Sequence, residues 1–264
     1  GQLDVVAATI AINGGSVTTA VGGSGDGSQL YTGAVVLGAT TTLTTGGTSG
    51  EDITVQGSLD SAATAGHGLV LDAGNGGDIL FTGPGDIGQA ADGELGFLTI
   101  ANAADATFDG DIDVIGALTQ TAGTGTTTFA AAVAADSVDL TTRIVSVLAT
   151  SSITATGALG GIKFDSARRI EIAGALANTG GAIDLTANAA GLETGTFVGI
   201  HLTGAVSSTT GAIDFDGTGG DDGDANHGVH VDGGSLTSDD GSIAVTGASV
   251  GTGEAHIGVA ISDA

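Results

Sequence analysis

Residues 181–210 read GAIDLTANAAGLETGTFVGIHLTGAVSSTT, residues 211–240 read GAIDFDGTGGDDGDANHGVHVDGGSLTSDD, and residues 241–264 read GSIAVTGASVGTGEAHIGVAISDA. Ile183, Ile213 and Ile243 recur at intervals of 30 and 30, and Gly199, Gly228 and Gly258 at 29 and 30. Val206 and Leu236 are also 30 apart. Each copy holds an apolar alternation, a Gly-led alternation, a small-residue turn and a third short apolar–polar stretch. Self-similarity at a fixed period marks a repeat architecture. Apolar residues with a period of two mark strands rather than helices.

Three features need one explanation: short strands, turns every few residues, and a period near 30. A two-sheet sandwich accounts for strands and turns but not for the period. A β-solenoid accounts for all three. Equivalent strands of successive coils stack about 4.8 Å apart, so inward residues form columns. Ile183, Ile213 and Ile243 should form one column, and Leu185, Phe215 and Val245 its neighbour. The expected fold is all-β: a right-handed parallel β-helix of ten to thirteen coils, each of roughly 20–30 residues.

The same grammar runs upstream with looser spacing. Ile53-Thr54-Val55 precedes Gly68-Leu69-Val70-Leu71, and Ile79-Leu80-Phe81 precedes Gly96-Phe97-Leu98-Thr99-Ile100. The Ala-rich run from Phe129 to Ala135 reads as strand, because Thr126–Thr128 and Ser137–Leu140 flank it. Residues 1–264 are therefore taken as a single β-solenoid segment, with irregular coils over 1–180 and regular 30-residue repeats over 181–264. The chain opens on Gly1 and its last copy breaks off at Asp263-Ala264. Both features lead us to expect a segment of a longer protein or filament.

Composition narrows the function. The 264 residues include 50 Gly, one Pro, no Cys, no Met and no Trp, and the formal charge is −26. The four basic residues, Arg143, Lys163, Arg168 and Arg169, cannot assemble the basic face that nucleic acid requires. No apolar run approaches the ~20 residues of a membrane helix, so membrane insertion is not expected. Without Cys no disulfide framework exists, and sheet hydrogen bonding must supply the stability.

The segment Ser28-Gln29-Leu30-Tyr31-Thr32-Gly33-Ala34-Val35-Val36-Leu37-Gly38-Ala39-Thr40-Thr41-Thr42-Leu43-Thr44-Thr45 resembles a coil of giant bacterial surface proteins. So do Gly125–Phe129, Gly228–Gly233 and Thr237–Gly247. The families are the filamentous-haemagglutinin-like and autotransporter-type adhesins with β-strand repeats. The resemblance implies a right-handed parallel β-helix, export to the cell surface, and a role in adhesion, matrix or surface filaments. It carries no catalytic residues. The implied partners are further copies, stacked end to end or side by side, and host, neighbouring-cell or matrix glycans.

Asp214, Asp216, Asp221, Asp222 and Asp224, with Asn226, form the densest acidic cluster. Carboxylates on a Gly-rich loop suit Ca²⁺, but neither the nonapeptide of calcium-loaded β-rolls nor an EF-hand loop is present. A solvated acidic loop is the expected reading, with Ca²⁺ as the candidate cofactor and the alternative. Asp109, Asp111 and Asp113 alternate and would share an outward face, a weak candidate for binding a cation. His67, His227 and His256 precede a Gly-led strand, and His201 and His230 lie within one. These are expected to be structural corner or outward positions, the H-x-x-H of His227 and His230 being a possible transition-metal pair. Arg168-Arg169 reads as an exposed basic spot. An enzyme is not expected: Trp is absent and Tyr31 is the one Tyr, so no sugar-stacking platform exists, and carboxylate pairs alone specify nothing. A carbohydrate- or Ca²⁺-binding module on the same scaffold is the alternative to a structural rod.

Overall fold

The computed structural model describes residues 1–19, 27–46, 50–62, 66–83, 85–157, 160–251 and 253–262. Among them there is no helix; every regular element is a strand and the strand pairs are parallel. The chain is a parallel β-solenoid of about nine turns, just under the ten to thirteen expected. Rung spacing is 21 residues from Ile162 to Ile183 and 30 from Ile183 to Ile213, within the expected coil length. Two compact units are distinguished, Gly1–Ala135 and Asp136–Ala264.

In the first unit, three stacks of strands rise together. One begins with the first half of Leu3–Ile12 and continues through Gln29–Leu37, Ile53–Gln56, Ile79–Phe81, Ala106–Phe108 and Thr126–Phe129. A second takes the later halves of Leu3–Ile12 and Gln29–Leu37, then Leu59–Ser61, Ile87, Ile112–Asp113 and Val133–Ala135. The third holds Ser16–Thr18, Thr41–Thr44, Leu69–Asp72, Leu98–Asn102 and Ala117–Gln120. The Ala-rich run therefore divides. Strand ends at Phe129 and resumes at Val133, with a corner at residues 130–132.

Alternation aims every second side chain inward. Val55, Phe81, Phe108 and Phe129 occupy one inward column. Phe81 and Phe108 stack at 5.4 Å between ring centroids, and Phe108 and Phe129 at 5.5 Å. Tyr31 is also inward, and its hydroxyl donates to Gln29 Oε1 at 2.9 Å. Gln29 Nε2 passes the chain of bonds to the Thr44 carbonyl at 2.8 Å. Burial pushes the Tyr31 phenol up to about 12, so the ring stays neutral and a donor.

The second unit repeats the plan. One stack runs from Ser137–Val147 through Ile162–Ile172, Ile183–Ala187 and Ile213–Thr218 to Ile243–Ala248. The later halves of the two long strands carry Ile200–Leu202, Val229–Asp232 and Val259–Ser262. Ser152–Ala155, Ala175–Asn178, Ala205–Ser208 and Ser235–Ser238 form the third stack. The pairings Ile183–Ile213–Ile243 and Leu185–Phe215–Val245 are those the 30-residue period predicts. Ile183 and Ile213 are fully buried, whereas Ile243 on the last rung is 45% exposed.

Glycine is obligatory at the corner that leads into this stack. Gly211 lies on Gly181 so closely that a Cβ there would sit 1.6 Å from the Gly181 carbonyl oxygen. Gly181 stands in the same relation to Gly160, also at 1.6 Å.

Candidate functional site

The acidic cluster of 214–224 separates once folded. Asp214 and Asp216 alternate outward on Ile213–Thr218, where Asp214 pairs in register with Asp184 and Asp216 with Thr186. Asp221, Asp222 and Asp224 lie in the following loop. Asp221 Oδ1 accepts the Gly195 amide at 2.8 Å, and Asp224 Oδ1 accepts the Glu254 amide at 2.7 Å. Buried Asn226 accepts the Phe197 amide at 2.7 Å and donates to the Asp222 carbonyl at 2.6 Å. These bonds tie the loops of three successive repeats together. Among the described residues, no three His, Asp or Glu side chains are grouped as ligands for a metal ion.

A carboxylate ladder in the first unit has the same character. Asp52 Oδ1 accepts the Asp78 amide at 2.8 Å, and Asp78 Oδ1 accepts the Asp105 amide at 3.0 Å. At another corner Asp86 accepts from Asp111 at 3.1 Å, and Asp111 from Ala132 at 2.9 Å. Asp111 is thus a corner cap rather than a member of a cation-binding row with Asp109 and Asp113. Burial, and then the nearby Glu94 carboxylate, hold the Asp113 carboxyl above its usual range. The sequence signal for these caps is an Asp directly before the first inward Ile, as in Asp52-Ile53, Asp78-Ile79, Asp86-Ile87 and Asp111-Ile112.

The basic residues are engaged within the second unit. Arg143 contacts Glu193 at 2.8 Å, and Arg168 lies 3.9 Å from the same carboxylate. The Arg168 guanidinium also covers the Phe197 ring at 4.8 Å, a cation–π contact. Arg169 pairs with Glu171 at 3.2 Å. The Arg168-Arg169 pair is therefore not the exposed basic spot expected: Arg168 meets Glu193 and Phe197 from beyond its own strand, and Arg169 meets Glu171 two residues along that strand. Lys163 stands in register between Asp139 and Asp184, at an open groove of about 370 Å³ that also takes in Gly160 and Gly161. Among the described residues, no aromatic ring lines that groove.

The densest chemistry in the second unit is a patch of four histidines. His201 and His230 are paired in register on neighbouring rungs, and their rings stack at 5.3 Å with planes 19° apart. His227 meets His230 edge-on at 5.0 Å. The Gly228 amide donates to the Ile257 carbonyl, so His256 falls one residue out of step with His227 rather than directly beneath it. Burial, then the His230 and His256 imidazoles, lower the His227 pKa against a backbone hydrogen bond that raises it. His227 Nδ1 and both ring nitrogens of His256 are buried without a hydrogen-bond partner. His67 lies in the first unit, where its amide donates to Ser61 Oγ at 2.9 Å.

Ser262 and Asp232 complete the patch. His230 Nε2 is 3.1 Å from Ser262 Oγ, and Ser262 Oγ donates to Asp232 Oδ1 at 2.9 Å. Asp232 Oδ2 is 4.0 Å from His201 Nε2. A nucleophilic triad needs the carboxylate on the far nitrogen of the base that takes the serine proton. Here the carboxylate takes the serine hydroxyl hydrogen itself, so His230 is not set up as that base. Comparison with protein-family models, with curated proteins and with solved structures returned no match.

Proposed function

We propose that this chain is a structural and adhesive β-solenoid rod of the bacterial cell surface, of the kind built by filamentous-haemagglutinin-like and autotransporter-type adhesins. It is exported, works outside the cell without catalysis, and is extended by further coils or copies. The observation that carries this reading is the direction of the side-chain bonding. Asp52 to Asp78 to Asp105 and Asp86 to Asp111 to Ala132 all bond from one rung to the next, instead of converging on a cleft. Such a chain has spent its polar groups on stacking.

The high negative charge keeps such rods soluble and steers them from anionic surfaces.

Negative-stain imaging across a concentration series tests the proposal. Rods of uniform width should lengthen as concentration rises. Dispersed particles of one size at every concentration would overturn the filament reading. Surface glycans are the proposed adhesive ligands, and a glycan array with no binding above background would remove that part.

A further inference from the structure

We propose that Asn75-Gly76, at a corner of the first unit, is a self-modification site: the chain converts Asn75 to aspartate and isoaspartate through a succinimide, and Asn102 on the next rung promotes the step. Of the six asparagines, Asn13 and Asn75 precede glycine. Asn178, Asn188 and Asn226 are buried and precede residues with side chains. Glycine favours the reaction because a Cβ would crowd the five-membered ring that the next amide has to close.

The corner presents both reacting groups. Asp72 Oδ1 accepts the Gly74 amide at 3.1 Å, and Gly74 turns the chain with φ at +69°. Asn75 follows, exposed to water. The Gly76 carbonyl accepts the Gly50 amide at 2.8 Å, whereas the N–H of Gly76 has no partner among the described residues. That nitrogen is the nucleophile, and no hydrogen bond has to break to free it. The electrophile is Asn75 Cγ. Asn102, which pairs with Asp72 across the rungs, donates from Nδ2 to Asn75 Oδ1 at 2.5 Å. Negative charge grows on Oδ1 as the nitrogen attacks, and a donor already in place stabilises it. Asn13 is exposed as well, but among the described residues no hydrogen bond reaches its side chain.

The step balances with water alone. The Gly76 nitrogen bonds to Cγ and gives its proton to solvent base. The Cγ–Nδ2 bond breaks, and ammonia leaves with a proton from water. Water then opens the ring. Cleavage at Cγ gives aspartate, and cleavage at the main-chain carbonyl gives isoaspartate, whose backbone runs through Cβ. The lengthened backbone falls at a corner that the Thr124 hydroxyl ties through the Asn75 carbonyl at 2.9 Å and Gly50 ties through Gly76. Either product adds a carboxylate to a turn that already carries Asp72 and Asp78.

Peptide mapping by mass spectrometry tests the proposal on the full chain, incubated in mildly alkaline buffer, with chromatography separating the aspartate and isoaspartate products. Conversion at Asn75 should outpace conversion at Asn13 about fivefold, the factor that one hydrogen bond to the developing oxyanion supplies. Asn102→Ala should slow Asn75 by the same factor and leave Asn13 unchanged. Thr124→Val frees the main chain of the corner without touching the Asn75 side chain, and should not slow it. Equal rates at the two sites, an Asn75 rate that Asn102→Ala leaves unchanged or raises, or a Thr124→Val variant as slow as Asn102→Ala would each overturn the proposal.

Discussion

The ring of Phe129 lies over that of Phe108, with centroids 5.5 Å apart and planes 9° from parallel. Phe108 has Phe81 on its other side, so its ring is clasped between two rungs and is 1% exposed. Phe108→Ala removes both contacts and leaves a cavity in a narrow interior. It should cost about 3–5 kcal/mol, and Phe108→Leu about 1.5 kcal/mol, in chemical denaturation. A loss below about 1 kcal/mol for the alanine variant would mean that the rungs collapse to refill the space.

A second prediction concerns the glycine corner. Gly211→Ala would drive a Cβ to 1.6 Å from Gly181 O, and backbone cannot yield as a side-chain tip can. The rungs must part, at a cost of about 3 kcal/mol or more. Gly14 has nothing within 4 Å of an added Cβ, so Gly14→Ala should stay within about 0.5 kcal/mol of wild type. Paired thermal melts compare them. Equal melting temperatures for the two variants would contradict the corner geometry.

At Asp78 two effects oppose. Its carboxylate caps the Asp105 amide, while stacking in register with other carboxylates adds repulsion. Asp78→Ala loses the cap and should destabilise by about 1–2 kcal/mol. Asp78→Asn keeps an acceptor oxygen and removes the repulsion, so it should be neutral or slightly stabilising. The difference between the two variants measures the cap. Added salt should narrow the gap between Asn and wild type, since it screens the repulsion alone.

Stability should depend on pH through His227. Its pKa is lowered in the folded protein, by burial first and by His230 and His256 next. Above the ordinary histidine range the ring is neutral in both states and contributes no pH dependence. As pH falls through about 6.5 the unfolded chain binds a proton that the folded one resists, so unfolding is favoured. Denaturation midpoints should therefore decrease from about pH 7.5 toward about pH 5.5, and His227→Gln should flatten that slope. A slope of the opposite sign would show that the folded state raises this pKa.

The solenoid was legible because a parallel stack copies its own geometry. Once Ile183, Ile213 and Ile243 recur at 30, their columns and the strand pairs follow. The ladder of Asp52, Asp78 and Asp105 escaped notice because its spacing is irregular, 26 and then 27 residues. Only the Asp-Ile dipeptides at 52–53 and 78–79 mark it, and Asp105 precedes Ala106. The histidines were recognised as corner and outward positions, yet their mutual contact was not, because it depends on register between coils to within one residue.

Period and alternation, which are local, sufficed for an all-β parallel solenoid and for its inward columns. The partners of the charged groups were decided only in three dimensions. Glu193 is 50 residues from Arg143 and 25 from Arg168, and no pattern in the chain links them. The physical reason is that stacking converts separations of one coil into contacts of a few ångströms, while loop lengths between strands alter which residues arrive at a given corner. A repeat therefore announces its backbone in one dimension, and its side-chain chemistry emerges only when the coils are laid on one another.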